Sequence, residues 1–439
     1  MNIKNYTTKE AKAQEASEIW SEQIGKILPG NIDEIAKSKG ALERKREVKS
    51  STELLKVLLI YAVSTMSIRM LALCASVMNV SEMSDTAWRK KIVNSVLWLT
   101  IVLEYILPKP QTKVLPVDGA IYLIDGSSIN QEGAKGTVHR IHMNYNLQTS
   151  MMEEIKVTDH HTAESIEHHT IRAGGIYIAD AGYGKAKSLD YVIKHNADAI
   201  FRVSPNHISL YDVNGDKLDT VKLLSTKNKV VDFTCYMQDV KSKKMIPVRI
   251  IASKLPEDKQ ADAIKRKKRK SSKNQSTIKP ETLLYAKWVV IATSLDDTYT
   301  ANKILEIYRC RWQIELLFKR IKQHLKITKI RPASKKYVHA LILLWLIIWV
   351  VVERQTIMAE LCIIQKKMDL TRVSLWTLSS FFFFRVKMII ESVWTTLFDP
   401  FENIDLIFKC LQNHKSSRVT QYFLCHLTNF IAINTRLAA

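Results

Sequence analysis

Glycine and proline are scarce in this sequence, 12 and 10 of 439 residues, while 46% of the residues are apolar. That balance excludes a disordered or collagen-like chain and leaves a globular one with a sizeable core. At roughly 100–200 residues per domain, two to four structural units are expected. Acidic residues are also in short supply: 43 Asp and Glu stand against 65 Lys and Arg, a formal net charge of +22 at pH 7. An excess of that size points to a polyanionic partner, with nucleic acid ahead of a membrane surface. The six cysteines (Cys74, Cys235, Cys310, Cys362, Cys410, Cys425) include no CxxC pair. This speaks against a zinc knuckle or a disulfide framework and for reduced, buried thiols of a cytosolic protein. Long apolar runs are missing too. The longest, 340–352, lies between His339 and Glu353, falls short of the ~18 residues of a spanning helix and reads as a buried core helix. The polar start MNIKNYTTKEAKAQEA has no signal-peptide pattern.

What is present falls into segments. Residues 1–115 have helical periodicity and no strand alternation. A strong amphipathic stretch opens at Ser51-Thr52-Glu53, and another runs from Ser84 to Leu103. Basic clusters at 44–49 and 89–91 suit a helical DNA-reading module, although a charged helix face can simply be solvated. The pattern changes at Pro116. AIYLID (120–125), IYIAD (176–180) and AIFRVS (199–204) read as short buried strands, with a helix over 188–195 between the last two. This is the mark of an α/β core. Residues 205–285 carry turn signals between strand-like pieces and a run of six basic residues at 265–270, read as a surface loop on a β-rich insertion. KWVVIATSL (287–295) returns to core-strand character, and the chain is helical from Thr298 onward.

The chemistry concentrates in three acids. Asp125 and Asp180 each close an apolar strand-like run and are followed by Gly126 or Ala181-Gly182. On one helix over 308–325, Tyr308, Arg311, Glu315 and Lys322 share a stripe about 60° wide, beside an apolar face of Ile314, Leu317, Phe318 and Ile321. A carboxylate flanked by two cations and an aromatic suits a metal ligand among phosphate-binding groups; the plain alternative is a solvent face with i,i+4 pairs. Carboxylates at strand ends plus one from a packed helix suit Mg²⁺ and two-metal phosphodiester chemistry. Such an all-oxygen site requires no Cys or His ligands. Asp159-His160-His161 and His168-His169 lack zinc-ligand spacing. Asp118 precedes its strand and is the weaker candidate for first acid. The run at 381–384 reads as a core or dimer-contact helix.

With these residues, the chain resembles bacterial insertion-sequence transposases of the acidic-triad (DDE) class. The similarity is to the insertion-sequence-four family, marked by a Y-x2-R-x3-E-x6-K signature. Tyr308, Arg311, Glu315 and Lys322 match it in spacing, and the likeness extends to Asp125-Gly126, Asp159 with Glu164, Asp180, Phe201-Arg202 and Thr293-Ser294-Leu295. The resemblance implies a ribonuclease-H-like core (116–204 and 286–330) interrupted before the third acid by the insertion (205–285). A helical DNA-binding domain (1–115) precedes it, and a helical C-terminal region (331–439) that helps pair two protomers follows. It implies cut-and-paste transposition of an insertion sequence through a DNA hairpin, with Mg²⁺ or Mn²⁺, two ions per site, and no nucleotide cofactor. Asp125, Asp180 and Glu315 would be the catalytic metal ligands. Tyr308, Arg311, Lys322 and Arg202 would contact DNA, as would Trp312 near the displaced base and Trp288 as a base-flipping aromatic. The expected partners are double-stranded DNA, as terminal inverted repeats and target, and a second copy of the chain, with no membrane and a cytoplasmic, nucleoid-associated location. A nuclease-only or inactive DNA-binding derivative is the alternative. One departure stands out: Ala181 occupies the place where the family commonly has arginine after the second acid.

Overall fold

The computed structural model describes residues 3–45, 47–64, 66–108, 120–134, 136–327, 330, 331, 333–367 and 374–395. Asp118 and the two cysteines Cys410 and Cys425 lie outside the described residues, as does much of the expected C-terminal pairing region. The chain divides into two compact units. One comprises residues 1–26 and 31–95 with the described residues from 387 on; the other comprises 27–30 and 96–386.

The smaller unit is helical: α1 (Ile3–Gln23), α2 (Ile32–Ser38), α3 (Ser51–Val63), α4 (Ile68–Val77) and α5 (Asp85–Asn94). Short polar caps cut what reads as one long amphipathic stretch into α3 and α4. Ser50 and Glu53 form a reciprocal capping box at the start of α3, and Ser67 caps α4 through the Met70 N–H. Asp33 accepts from Lys45 at 2.6 Å and from the Ser51 N–H at 2.9 Å; these bonds hold its carboxyl down at about 2. Trp20, Leu54, Leu58, Leu71 and Trp88 fill the interior, while Arg89 and Lys90 are exposed. The expected helical segment 1–115 is divided. α6 (Val96–Ile106) belongs to the larger unit, where its buried Trp98, Leu99 and Val102 find an apolar partner in α13 (Lys335–Gln365).

The larger unit is built on one nine-stranded sheet. Its strands are β1 (Ile121–Asn130), β2 (Thr137–Asn146), β3 (Met151–Asp159), β4 (Ile176–Ala179), β5 (Asp198–Arg202), β6 (Leu210–Tyr211), β7 (Val230–Gln238), β8 (Met245–Lys254) and β9 (Trp288–Thr293). Their order is β3-β2-β1-β4-β5-β9-β8-β7-β6. β1, β2 and β3 are antiparallel neighbours, β1, β4 and β5 run parallel, and the remainder is antiparallel. The helix α7 (Ala186–Lys194) bridges β4 and β5 as the parallel connection requires. Ser294 clasps the start of β5, donating to Asp198 Oδ1 at 2.7 Å and accepting from the Ala199 N–H at 3.0 Å. The α/β class read from the sequence therefore holds.

The β-rich reading of 205–285 fits strands β6, β7 and β8, which continue the core sheet through the edge of β9 and so satisfy their backbone groups. Three helices, α8 (Thr220–Leu224), α9 (Glu257–Lys273) and α10 (Pro280–Tyr285), lie within the segment too. The basic run 265–270, expected on a loop, is helical and forms part of α9, which has no buried residue. Lysine and arginine are good helix formers and need no core contact to be so. Toward the C-terminus come α11 (Ala301–Arg309), α12 (Trp312–His324), α13 and α14 (Leu375–Thr395). α13 is long and apolar enough to cross a membrane, yet 72% of its most apolar window is buried inside the molecule, as expected of a core helix.

Candidate active site

The sheet register brings the first two acids together. β1 and β4 pair in parallel from Ile121 with Ile176 to Ile124 with Ala179, so Asp125 and Asp180 are the next residues on adjacent strands. They stand at the carboxyl end of a parallel pair, where open α/β sheets place their ligands. One expectation needs correcting. Asp125 does not close its strand; β1 runs on to Asn130 because its other edge pairs with β2, and only the pairing with β4 ends at Ile124. α12 packs on β1 and carries the third acid. Its apolar Ile314, Leu317, Phe318 and Ile321 are buried, and Glu315 beside them is half-buried.

The helix over 308–325 is not continuous. It breaks at Cys310 and Arg311 into α11 and α12, with i→i+3 bonds from the Arg311 N–H to Tyr308 O (3.0 Å) and from the Gln313 N–H to Cys310 O (3.0 Å). Arg311, which caps α12 in helical conformation, Glu315 and Lys322 keep helical spacing across the break, with Tyr308 in the last turn of α11. Arg311 Nη2 donates to Glu315 Oε1 at 2.5 Å, and its guanidinium lies 5.9 Å from the Tyr308 ring centre. Lys322 Nζ donates to Ser128 O of β1 at 2.9 Å.

The electrostatics are those of a crowded, partly desolvated acidic site. Burial pushes the Asp125 carboxyl up to about 6; the Gly126 N–H, which donates to it at 2.8 Å, and Arg311 oppose this, while Glu164 and Asp180 add to it. Asp180 Oδ1 is buried without a hydrogen-bond partner, and Arg202 Nη1 lies 3.8 Å away. The Tyr308 hydroxyl is buried; burial raises its pKa, with Arg311, Asp180 and Arg202 as charged neighbours. Burial lowers the Lys322 pKa against the pull of Asp125.

Among the described residues, no three His, Cys, Asp or Glu side chains stand close enough to hold a metal ion as placed. The Arg311 ion pair occupies Glu315. The chemistry of the donors nevertheless fits a hard divalent cation: every candidate ligand is a carboxylate oxygen, and the buried Asp180 Oδ1 accepts no hydrogen bond. The adjacent histidines assemble no zinc set. The His160 and His161 rings lie 3.8 Å apart at a tilt of 41°, and His169 pairs with Glu154 at 3.3 Å.

Of the other predicted site residues, Arg202 and Trp312 are available to a ligand. Arg202 ends β5 next to Asp180, and Trp312 is 57% exposed. Trp288 is not: it is 3% exposed in the core, with its indole N–H unpartnered and the Lys254 ammonium 5.7 Å from its ring. As the first residue of β9 it packs inward, so no base can stack on it as placed. The buried-thiol expectation is likewise corrected, since Cys235 is buried but Cys362 is exposed. A cavity of about 700 Å³ beside α9 and α10 is lined by Lys217, Lys267, Lys270 and Lys279 and by none of the three acids. Sequence reasoning left Glu164 out of the site, although its carboxylate lies against Gly126 and Gly182. The signal that could have found it is the pair of glycines, each within two residues of an acid.

The family described as Transposase DDE domain matches residues 116–351, more than half of the chain. The chain is also 29% identical over 330 residues to the InsL protein of insertion sequence element IS186A of Escherichia coli strain K12, covering 73% of this chain and 89% of that one. It is 29% identical over 331 residues, with the same coverage, to the transposase for insertion sequence element IS421 of Escherichia coli.

Proposed function

The chain belongs to the transposase DDE-domain family and is an enzyme that acts on DNA, and from that premise we propose that it excises and reinserts an insertion sequence by way of a hairpin at the element's ends. The observation that carries this reading is the register that sets Asp125 beside Asp180; α12, which carries Glu315, packs on β1. Family membership implies a ribonuclease-H-like fold; in this chain the β3-β2-β1-β4-β5 half of the sheet is the part that holds the acids.

In this reading Asp125, Asp180 and Glu315 hold Mg²⁺ or Mn²⁺, two ions per site. Bound there, divalent cations activate the attacking oxygen and stabilise the leaving one. The protein's own groups bind and orient the DNA. Arg311, Lys322 and Arg202 neutralise phosphates around the cut, and the buried Tyr308 hydroxyl donates to one of them. A phosphate arriving at Arg311 competes with Glu315 for the guanidinium, so DNA binding frees the third carboxylate. Trp312, exposed at the start of α12, stacks on the base displaced as the hairpin closes. The helical unit reads the terminal inverted repeats. Two protomers pair through the C-terminal helical region, where Phe381 and Phe384 of α14 are exposed.

The test is a time course of end-labelled terminal-repeat DNA with Mg²⁺ on a denaturing gel. Nicks followed by hairpins are expected. Asp125→Ala, Asp180→Ala and Glu315→Ala should each abolish nicking and leave repeat binding within a few-fold, because phosphate contacts supply most of the affinity. Linear breaks with no hairpin at any time would replace strand joining with simple hydrolysis.

A further inference from the structure

A fourth carboxylate touches both acid-bearing segments. Glu164 sits in the loop after β3, and an added Cβ shows how closely it packs. On Gly126, next to Asp125, the Cβ would lie 2.9 Å from Glu164 Cγ and 3.1 Å from Oε1. On Gly182, two residues after Asp180, it would lie 2.7 Å from Glu164 Oε2. A side chain at either position would have to push the Glu164 carboxylate aside.

The loop is anchored so as to hold Glu164 there. Asp159 Oδ1 accepts from the N–H groups of His161 (3.0 Å) and Thr162 (3.2 Å), and Arg140 of β2 donates through Nη1 to Thr162 O at 2.7 Å. Arg140 Nε lies 3.6 Å from Glu164 Oε1. The Tyr183 hydroxyl, in a residue only 1% exposed, is buried without a hydrogen-bond partner, among the charges of Glu164, Asp125 and Arg140.

We propose that Glu164 is a positioning residue of the cation site, locking strand β1 beside Asp125 against the turn after Asp180 and adding negative charge next to both acids. The inference rests on the metal-dependent reading above. Outer groups that fix and polarise ligands commonly govern affinity: losing one costs roughly 10–100-fold in metal binding.

The experiment measures Mn²⁺ binding by full-length protein without DNA, following free Mn²⁺ by electron paramagnetic resonance. Glu164→Gln keeps the shape and removes the charge, so it should weaken Mn²⁺ binding roughly 10–100-fold with the melting temperature unchanged. Glu164→Asp, which keeps the charge, should recover part of the loss. Gly182→Ala, which pushes the carboxylate away, should weaken binding too and decides the matter if Glu164→Gln does not fold. Wild-type Mn²⁺ affinity in both Glu164→Gln and Gly182→Ala overturns the proposal. Asp125→Asn and Asp180→Asn separate the two levels. If they lose Mn²⁺ while the Glu164 and Gly182 variants keep it, only the role of Glu164 fails; if they keep it, the metal-site reading itself fails.

Discussion

Two tryptophans show how a residue's surroundings outweigh its place in a motif. Trp312 lies inside the signature and is 57% exposed, whereas Trp288 opens a core strand and is 3% exposed. Stacking of a base on an exposed aromatic is worth about 1–3 kcal/mol, and that gain is open to Trp312 alone. Trp312→Ala should therefore leave the melting temperature near wild type and accumulate first-strand nicks at the expense of hairpin. Trp288→Ala should instead open a core cavity and destabilise the protein by about 3–5 kcal/mol. Urea denaturation alongside the cleavage gel distinguishes the two, and a stable Trp288→Ala protein defective only in hairpin formation would reverse the assignment.

At the scale of the element, α9 has no place in the packing of the core. None of its residues is buried, and its consecutive basic residues at 265–270 all face solvent. A helix polar all round gains nothing from burial, so its charge is free to meet phosphate, and the lysines lining the neighbouring cavity extend the same surface. Each phosphate contact contributes about −0.9 to the slope of log affinity against log salt on duplex DNA. Replacing 265–270 with glutamine should weaken binding to all sequences alike and flatten that slope, as measured by fluorescence anisotropy between low and moderate salt. An unchanged slope would make α9 a solvated helix and no more. Such a helix and a basic loop are indistinguishable in charge, and only the capping and turn geometry around 257–273 separates them.

Across the whole molecule, stability is tied to a carboxyl buried in α13. Burial raises Glu353 to about 8 against the N–H of Met152 and the charge of Arg320, and Glu360 raises it further. The unfolded group ionises near 4.5, so between that pH and about 8 the folded protein holds a proton that the unfolded chain releases. Stability must then fall as pH rises through this window. Glu353→Gln, neutral throughout, should match wild type near pH 4.5 and exceed it above pH 8 by on the order of 3–5 kcal/mol. Parallel stability profiles for the two proteins by urea denaturation would contradict this. The sequence by itself determined the α/β class, the helical character of the N-terminal segment and the buried character of 340–352, and it supplied the three acids proposed for the site. Those follow from local periodicity and from motif spacing, which are properties of neighbours along the chain. It did not determine that Asp125 lies within a strand, that the signature helix breaks at Cys310, that the insertion joins the core sheet, or that Trp288 faces inward. Nor could it show Glu164 wedged between Gly126 and Gly182. These depend on which strand edge pairs with which and on the space left between distant segments, and only tertiary packing decides that.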